Sequence, residues 1–341
     1  MRSVSAVTFL NGLSPTMVSL RSFRLLLLSL GWVAAGVSGT SAQTASSLAD
    51  SAQRTQAATS SLAQDLSLDE RGLEEENRFA TSSDGDADLG QQVILKDAHQ
   101  AQPFRFNADA YFFWTDNAKQ ERRGAEEDTF GGWRVEALWQ PQITGNLYGG
   151  VGVSQDWFLY DKLEKLDFET FEITTGLYEV VPELANAILM LQYQYQHLTH
   201  HSNPLVDTHS IRFGVQKTLQ LDRRNSLIFG LLADWDVHTD VDDFKRNEYF
   251  ADVAWRFKLM PDLSFVVDYR YTCFDYQLKR LAFERGRVDN LHTLALTLLY
   301  SPRPWLDIYG GCTFSFNRSN FTYYDYDATN AGGGLGARIK F

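Results

Sequence analysis

The sequence predicts an all-β chain whose main body is a single closed antiparallel β-barrel of about twelve strands crossing a membrane. Three observations carry this. From Phe104 to Phe341 apolar and polar residues alternate with period 2, the signature of strands with one apolar and one polar face. Short and long polar connections alternate along that stretch, as expected when the two rims of a barrel face different compartments. Aromatic residues make up 13% of the chain, including 15 Tyr and 8 Trp, and many fall on the apolar faces near strand ends, where an interfacial girdle would lie.

Composition narrows the alternatives. With 43 acidic and 31 basic side chains the formal charge is -12, which argues against a nucleic-acid partner, since counterion displacement needs a basic surface. Two Cys are too few for a disulfide framework or a thiolate metal cluster. Beyond residue 42 no apolar run approaches the 18 or so residues of a helical span.

In chain order, residues 1–42 read as a secretory signal peptide. Arg21 and Arg24 precede the apolar run LLLLSLGWVAAGV, and Thr40 and Ala42 occupy the small-residue positions before a cut near Ala42. Either Met1 or Met17 is the start; counting from Met17 gives a signal of ordinary length. Residues 43–103 form a polar, acidic periplasmic leader, disordered or partly helical, because its composition offers too little apolar surface to offset ordering. Its exception is LGQQVILK at 89–96, either a segment that docks at the mouth of the following body or part of a linker.

Residues 104–341 form the barrel. Twelve alternating segments centre on 104–115, 130–140, 146–159, 167–180, 186–199, 208–220, 225–238, 248–260, 263–276, 290–300, 305–317 and 328–341. Tight connections fall at 142–146, 182–184, 222–225, 261–262 and 301–304, and longer ones at 116–129, 160–166, 200–207, 239–247, 277–289 and 318–327. An even strand count returns the C-terminus to the side of the N-terminus. The ninth segment shows the faces: Phe265, Val267, Tyr269, Tyr271 and Cys273 oppose Ser264, Asp268, Arg270 and Thr272. On the seventh, Leu227, Phe229, Leu231, Ala233 and Trp235 oppose Gly230, Asp234, Asp236 and His238.

The last segment ends NAGGGLGARIKF, with Leu335, Ala337, Ile339 and the terminal Phe341 on one face. It resembles the C-terminal signature of bacterial outer-membrane β-barrel proteins. That resemblance implies a Gram-negative-type outer membrane as location, contact with its lipid and lipopolysaccharide, and partners in the barrel assembly machinery and periplasmic chaperones. It implies no substrate and no particular porin family.

The polar faces, taken as lumen, present Arg105, Asp109, Arg134, Glu136, Glu172, Gln194, Arg212, Asp234, Asp236, Asp252, Arg256, Asp268, Arg270 and Arg338. The signs nearly balance, so no single-sign filter is expected. Twelve strands tilted by about 40° enclose a backbone radius of roughly 12 Å, of which side chains leave about half. The expected function is a narrow porin-like channel for passive diffusion of small polar solutes. The alternative is a non-conducting structural or surface-recognition barrel acting through its outer loops.

Other candidates weigh less. His197, His200, His201 and His209 concentrate around one outer connection, but only Asp207 accompanies them and a solvated loop outweighs a metal site. His200 and Ser202 have the i, i+2 spacing used by outer-membrane acyl hydrolases, yet strand parity sends His200 to the lumen and Ser202 into the loop, so an enzyme is not expected. Cys273 and Cys312 face outward two strands apart, beyond disulfide reach. Gly332 to Gly334 read as a device for bending the closing strand. No cofactor-binding motif occurs.

Overall fold

A computed structural model of the protein describes residues 103–277 and 286–341. The signal peptide, almost all of the leader with its 89–96 segment, and most of the 277–289 connection lie outside the described residues. The strands are β1 (Phe104–Thr115), β2 (Asp128–Trp139), β3 (Gln142–Thr144), β4 (Leu147–Tyr160), β5 (Phe168–Val181), β6 (Ala187–His200) and β7 (Asn203–Gln220). They continue with β8 (Asn225–Thr239), β9 (Arg246–Met260), β10 (Leu263–Tyr276), β11 (Val288–Arg303), β12 (Leu306–Ser319) and β13 (Tyr326–Lys340).

Every long strand pairs antiparallel with its neighbours in sequence. β13 returns to β1 in register from Arg105↔Lys340 to Thr115↔Asn330, and the ring closes. Because β2 pairs directly with β4, the three-residue β3 lies beside the ring of twelve, within the turn that sequence placed at 142–146. Closure leaves no unpaired edge, a requirement for backbone immersed in lipid.

The apolar side chains point away from the ring. Leu191, Leu231, Leu298 and Leu335 are 46–60% exposed, an arrangement that water would penalise across so much contiguous wall. Trp114, Trp133, Trp235, Tyr193 and Tyr269 stand on this outer wall toward the long-loop rim, and Trp139, Trp255 and Tyr300 toward the other. These are the two girdles of a membrane barrel.

At the seam, the Phe104 and Phe341 backbones exchange hydrogen bonds of 3.1 and 3.0 Å. Their rings stack at 5.7 Å, with Trp139 stacked on Phe104 at 6.1 Å. The terminal aromatic therefore latches the first strand to the last. Phe341→Ala is expected to destabilise the folded barrel by about 1 kcal/mol through the lost ring pair, measurable as a lower urea midpoint in lipid vesicles; an unchanged midpoint would refute the latch.

Two sequence expectations need correction. The third outer connection is not a loop over 200–207. β6 runs to His200 and β7 begins at Asn203, joined by His201 and Ser202 at positive φ of 47° and 64°, the left-handed pair that matches strand twist in a two-residue hairpin. His238 does not face the lumen. His209 pairs with His238 while Ser210 pairs with Asp236, so Val237 is an extra residue, a β-bulge that turns His238 outward. Gly332 to Gly334, read from sequence as permitting a bend, have no positive φ. They are needed for close approach: a Cβ on Gly332 would sit inside the shell of the Phe112 carbonyl oxygen, and one on Gly333 inside that of Tyr309.

The outer connection between β4 and β5 is held from both sides. Asp128, 1% exposed, accepts the backbone N–H groups of Lys162 at 3.1 Å and Leu163 at 2.8 Å. Asp167 accepts that of Tyr160 at 2.7 Å, and burial raises the Asp167 carboxyl above its ordinary range against the pull of this N–H, His201 and His200. On the opposite rim, Asp222 accepts the Arg224 N–H at 2.7 Å, which with Asn225 holds its carboxyl below the usual range.

Candidate functional site

The inner wall is the candidate site. Alternation from the exposed apolar positions places Arg105 and Asp109 of β1, Arg134 and Glu136 of β2, Glu172 of β5, Gln194 of β6 and Arg212 of β7 on it. Asp234 and Asp236 of β8, Asp252 and Arg256 of β9, Asp268 and Arg270 of β10 and Arg338 of β13 complete the set.

Several of these charges form ion pairs along the wall. Arg134 Nη1 lies 3.3 Å from Asp156 and its Nη2 3.7 Å from Glu136, while Asn107 Nδ2 donates to Glu136 at 2.7 Å. Arg212 Nε donates to Asp234 at 2.5 Å. Arg338 reaches Asp307 at 3.3 Å, and Asp307 also accepts the Ser301 hydroxyl at 2.6 Å. The Arg270 guanidinium lies 4.8 Å over the Phe250 ring, beside Asp252. Asp236 does different work: it accepts the Thr239 hydroxyl at 2.5 Å and the Arg246 N–H at 3.3 Å, and so anchors the outer rim.

Glycines set how these side chains lie. Directly across from inward Tyr111, Asp109, Asp252, Tyr309, Gln192 and Met190 stand Gly132, Gly336, Gly230, Gly334, Gly176 and Gly214. A Cβ at Gly132 or Gly334 would come within 2.6 Å of the Tyr111 or Tyr309 hydroxyl. The large side chain therefore lies flat over the neighbouring strand and lines the wall, where a Cβ would force it toward the axis.

Sequence reasoning took only polar residues as lumen and missed the outer third. The parity that gives Arg105 and Asp109 continues to Tyr111 and Phe113, and that of Asp156 to Phe158 and Tyr160. The same step leads from Glu172 to Phe168, and from Arg270 to Phe274 and Tyr276. Tyr111 is half-buried and the others are buried. Phe113, Phe130, Tyr160, Phe158 and Phe168 pack ring to ring, with centroids 5.8, 5.4 and, for Phe158 on Phe168, 4.2 Å apart. Phe244 from the turn 240–245 and Leu166 from 161–167 join them together with Leu198 and Val206. A second group holds Phe274, Tyr276, Leu291 and Tyr326. Above it the Arg246 guanidinium lies 4.3 Å over Phe274, and Arg287 lies between Tyr276 at 4.2 Å and Tyr324 at 3.5 Å.

The histidines do not converge. His200 points inward, its Nδ1 2.6 Å from the Asp167 carbonyl, and Ser202 occupies the hairpin turn, so the pair forms no dyad. His197 and His209 face outward, His197 with Nδ1 2.5 Å from Asp207. Among the described residues no group of three His, Cys, Asp or Glu could hold a metal ion. Cys273 and Cys312 are both free; opposite β11 they stand at Asn290 and Leu296. Leu335, Ala337, Ile339 and Phe341 lie on the outer wall of the closing strand.

No protein-family model matches the chain, and no curated protein matches it. Solved structures do. An outer-membrane channel of Pseudomonas putida F1 is similar at a TM-score of 0.52 and 11% identity, over 70% of this chain and 97% of that one. The toluene transporter TodX of Pseudomonas putida gives 0.40 at 10% identity, over 70% and 90%. The translocator domain of the autotransporter NalP of Neisseria meningitidis gives 0.37 at 9%, over 71% and 90%. With its closed ring, apolar outer wall and two aromatic girdles, the chain has the fold of a bacterial outer-membrane β-barrel.

Proposed function

We propose that the barrel is a narrow channel for passive diffusion of small polar solutes. The observation that carries this reading is the belt of paired inward charges, from Arg338 and Asp307 through Arg134 and Asp156 to Arg212 and Asp234. Lining of nearly balanced sign lets solutes enter without trapping either charge. The likeness to an outer-membrane channel supports it. Ohmic current steps are expected when the full chain is reconstituted in planar bilayers.

The packed aromatics at the outer mouth favour a second reading, a non-conducting barrel that acts through outer connections such as 278–289 and 321–327. Phe244→Ser separates the two. Conductance of the wild type, or its appearance on loosening the mouth, supports transport; silence of both proteins overturns it. On the closing strand, Leu335, Ala337, Ile339 and Phe341 are the residues we assign to recognition by the barrel assembly machinery, after delivery by periplasmic chaperones.

A further inference from the structure

The outer wall carries one side-chain arrangement twice. On β6, Tyr193 and Tyr195 stand two residues apart; on β10, Tyr269 and Tyr271 do the same. In each case the second tyrosine is directly opposite a histidine of the next strand, Tyr195 facing His209 and Tyr271 facing His292. The histidine Nδ1 meets the hydroxyl of the first tyrosine, 2.6 Å for Tyr193 with His209 and 2.8 Å for Tyr269 with His292. Its ring rests on the second tyrosine with centroids 5.0 and 5.1 Å apart. The second tyrosine donates to the residue two positions outward of the histidine, Asp207 at 3.0 Å and Asn290 at 2.6 Å.

Chemistry and depth identify the occupant. Read with the phenol as donor to Nδ1, each contact leaves the ring N–H on Nε2, and Nε2 has no protein partner among the described residues. Each unit thus offers an oriented N–H donor beside two aromatic faces, on the lipid side of the wall. Tyr300, in the inner girdle, pairs with Leu263, and Tyr271 lies eight residues further along β10. At about 3.4 Å per residue and a tilt of about 40° that is roughly 20 Å across the bilayer, the level of the outer headgroups.

A donor there meets the phosphate and sugar of an outer-leaflet glycolipid, with sugar faces against the rings. The first unit is the larger. The bulge brings His238 to 5.8 Å from His209, and the Asp207 carboxylate is engaged by Tyr195 and by His197 at 2.5 Å, which tempers its repulsion of an anion. We propose that these two units are binding sites for the phosphorylated headgroup of an outer-leaflet glycolipid, one molecule at β6–β7 and one at β10–β11.

The test counts retained lipids. The full chain, folded in detergent, is titrated with bis-phosphorylated lipid A, with the same glycolipid stripped of phosphate, and with phosphatidylethanolamine, and bound copies are read by native mass spectrometry. Two copies of lipid A are expected on the wild type, one on His209→Ala or His292→Ala, and none on the double variant above the phosphatidylethanolamine level. Tyr193→Phe and Tyr269→Phe keep every ring and remove only the hydroxyl feeding Nδ1; each is expected to weaken its site about tenfold, and they carry the test if the alanine variants misfold. Equal retention of lipid A and phosphatidylethanolamine by the wild type, undiminished retention by the variants, or equal retention of the phosphate-free glycolipid overturns the proposal.

Discussion

Arg134→Gln is expected to lower the stability of the barrel by about 3–5 kcal/mol, the range for breaking a buried ion pair from one side. Arg134 stands among Asp156, Glu136, Glu172 and Asp109, and Asp156 is only 3% exposed, so no bulk water replaces the guanidinium around that carboxylate. Among the described residues Asn107 is the donor that remains to Glu136. In the proposed channel, removing one positive charge from a lining of nearly balanced sign also shifts permeation toward cations. Two measurements check this: the urea midpoint in vesicles, expected to fall, and the reversal potential under a salt gradient, expected to move toward the cation limit. Arg134→Gln with Asp156→Asn is expected to recover most of the lost stability, because the double variant leaves no unpaired buried charge at that pair. A single variant as stable as the wild type would mean that the pair is solvated from the lumen and holds nothing together.

The balance of what could be read from sequence follows from which features are periodic. Period 2 sorts side chains into two faces without long-range information, so Phe265, Val267 and Tyr269 separate from Asp268 and Arg270 on inspection, and the strand count and ring follow. The step that failed was chemical. Phe113, Phe158 and Phe274 share parity with Asp109, Asp156 and Arg270, but were passed over because a lumen was taken to be polar throughout. Parity alone would have found the aromatic layer.

Other features carry no local signal. His201 and Ser202 are unusual residues for a left-handed hairpin pair, where Asn and Gly are preferred, and nothing in the run from Ala233 to Thr239 announces an extra residue at Val237. The doubled Tyr-x-Tyr and His unit depends on cross-strand register, which alternation leaves open. Only with β6 set against β7 and β10 against β11 do His209 and His292 come to equivalent places.

Gly332→Val is expected to abolish the folded barrel, with a penalty of more than about 4 kcal/mol, the range reached when substitution forces backbone apart. Gly332 faces inward at the seam, where β13 is held between β1 and β12 in unbroken register. A Cβ there would meet the Phe112 carbonyl oxygen and both the Cα and ring of Phe113. Phe113 cannot yield, since it is 2% exposed and stacked on Phe130. Relief requires moving β1 off β13, which opens the ring and exposes strand edges to lipid. Gly310, on the neighbouring strand, is the control: its added Cβ would be 3.6 Å from the Gly332 oxygen, an ordinary contact, so Gly310→Ala is expected to fold with wild-type yield. The shift between folded and heat-unfolded mobility on a cold detergent gel reads both variants. A folded band for Gly332→Val at wild-type intensity would show that the seam can open and reclose around a side chain, and the close approach of β1, β12 and β13 would then not be what requires glycine there.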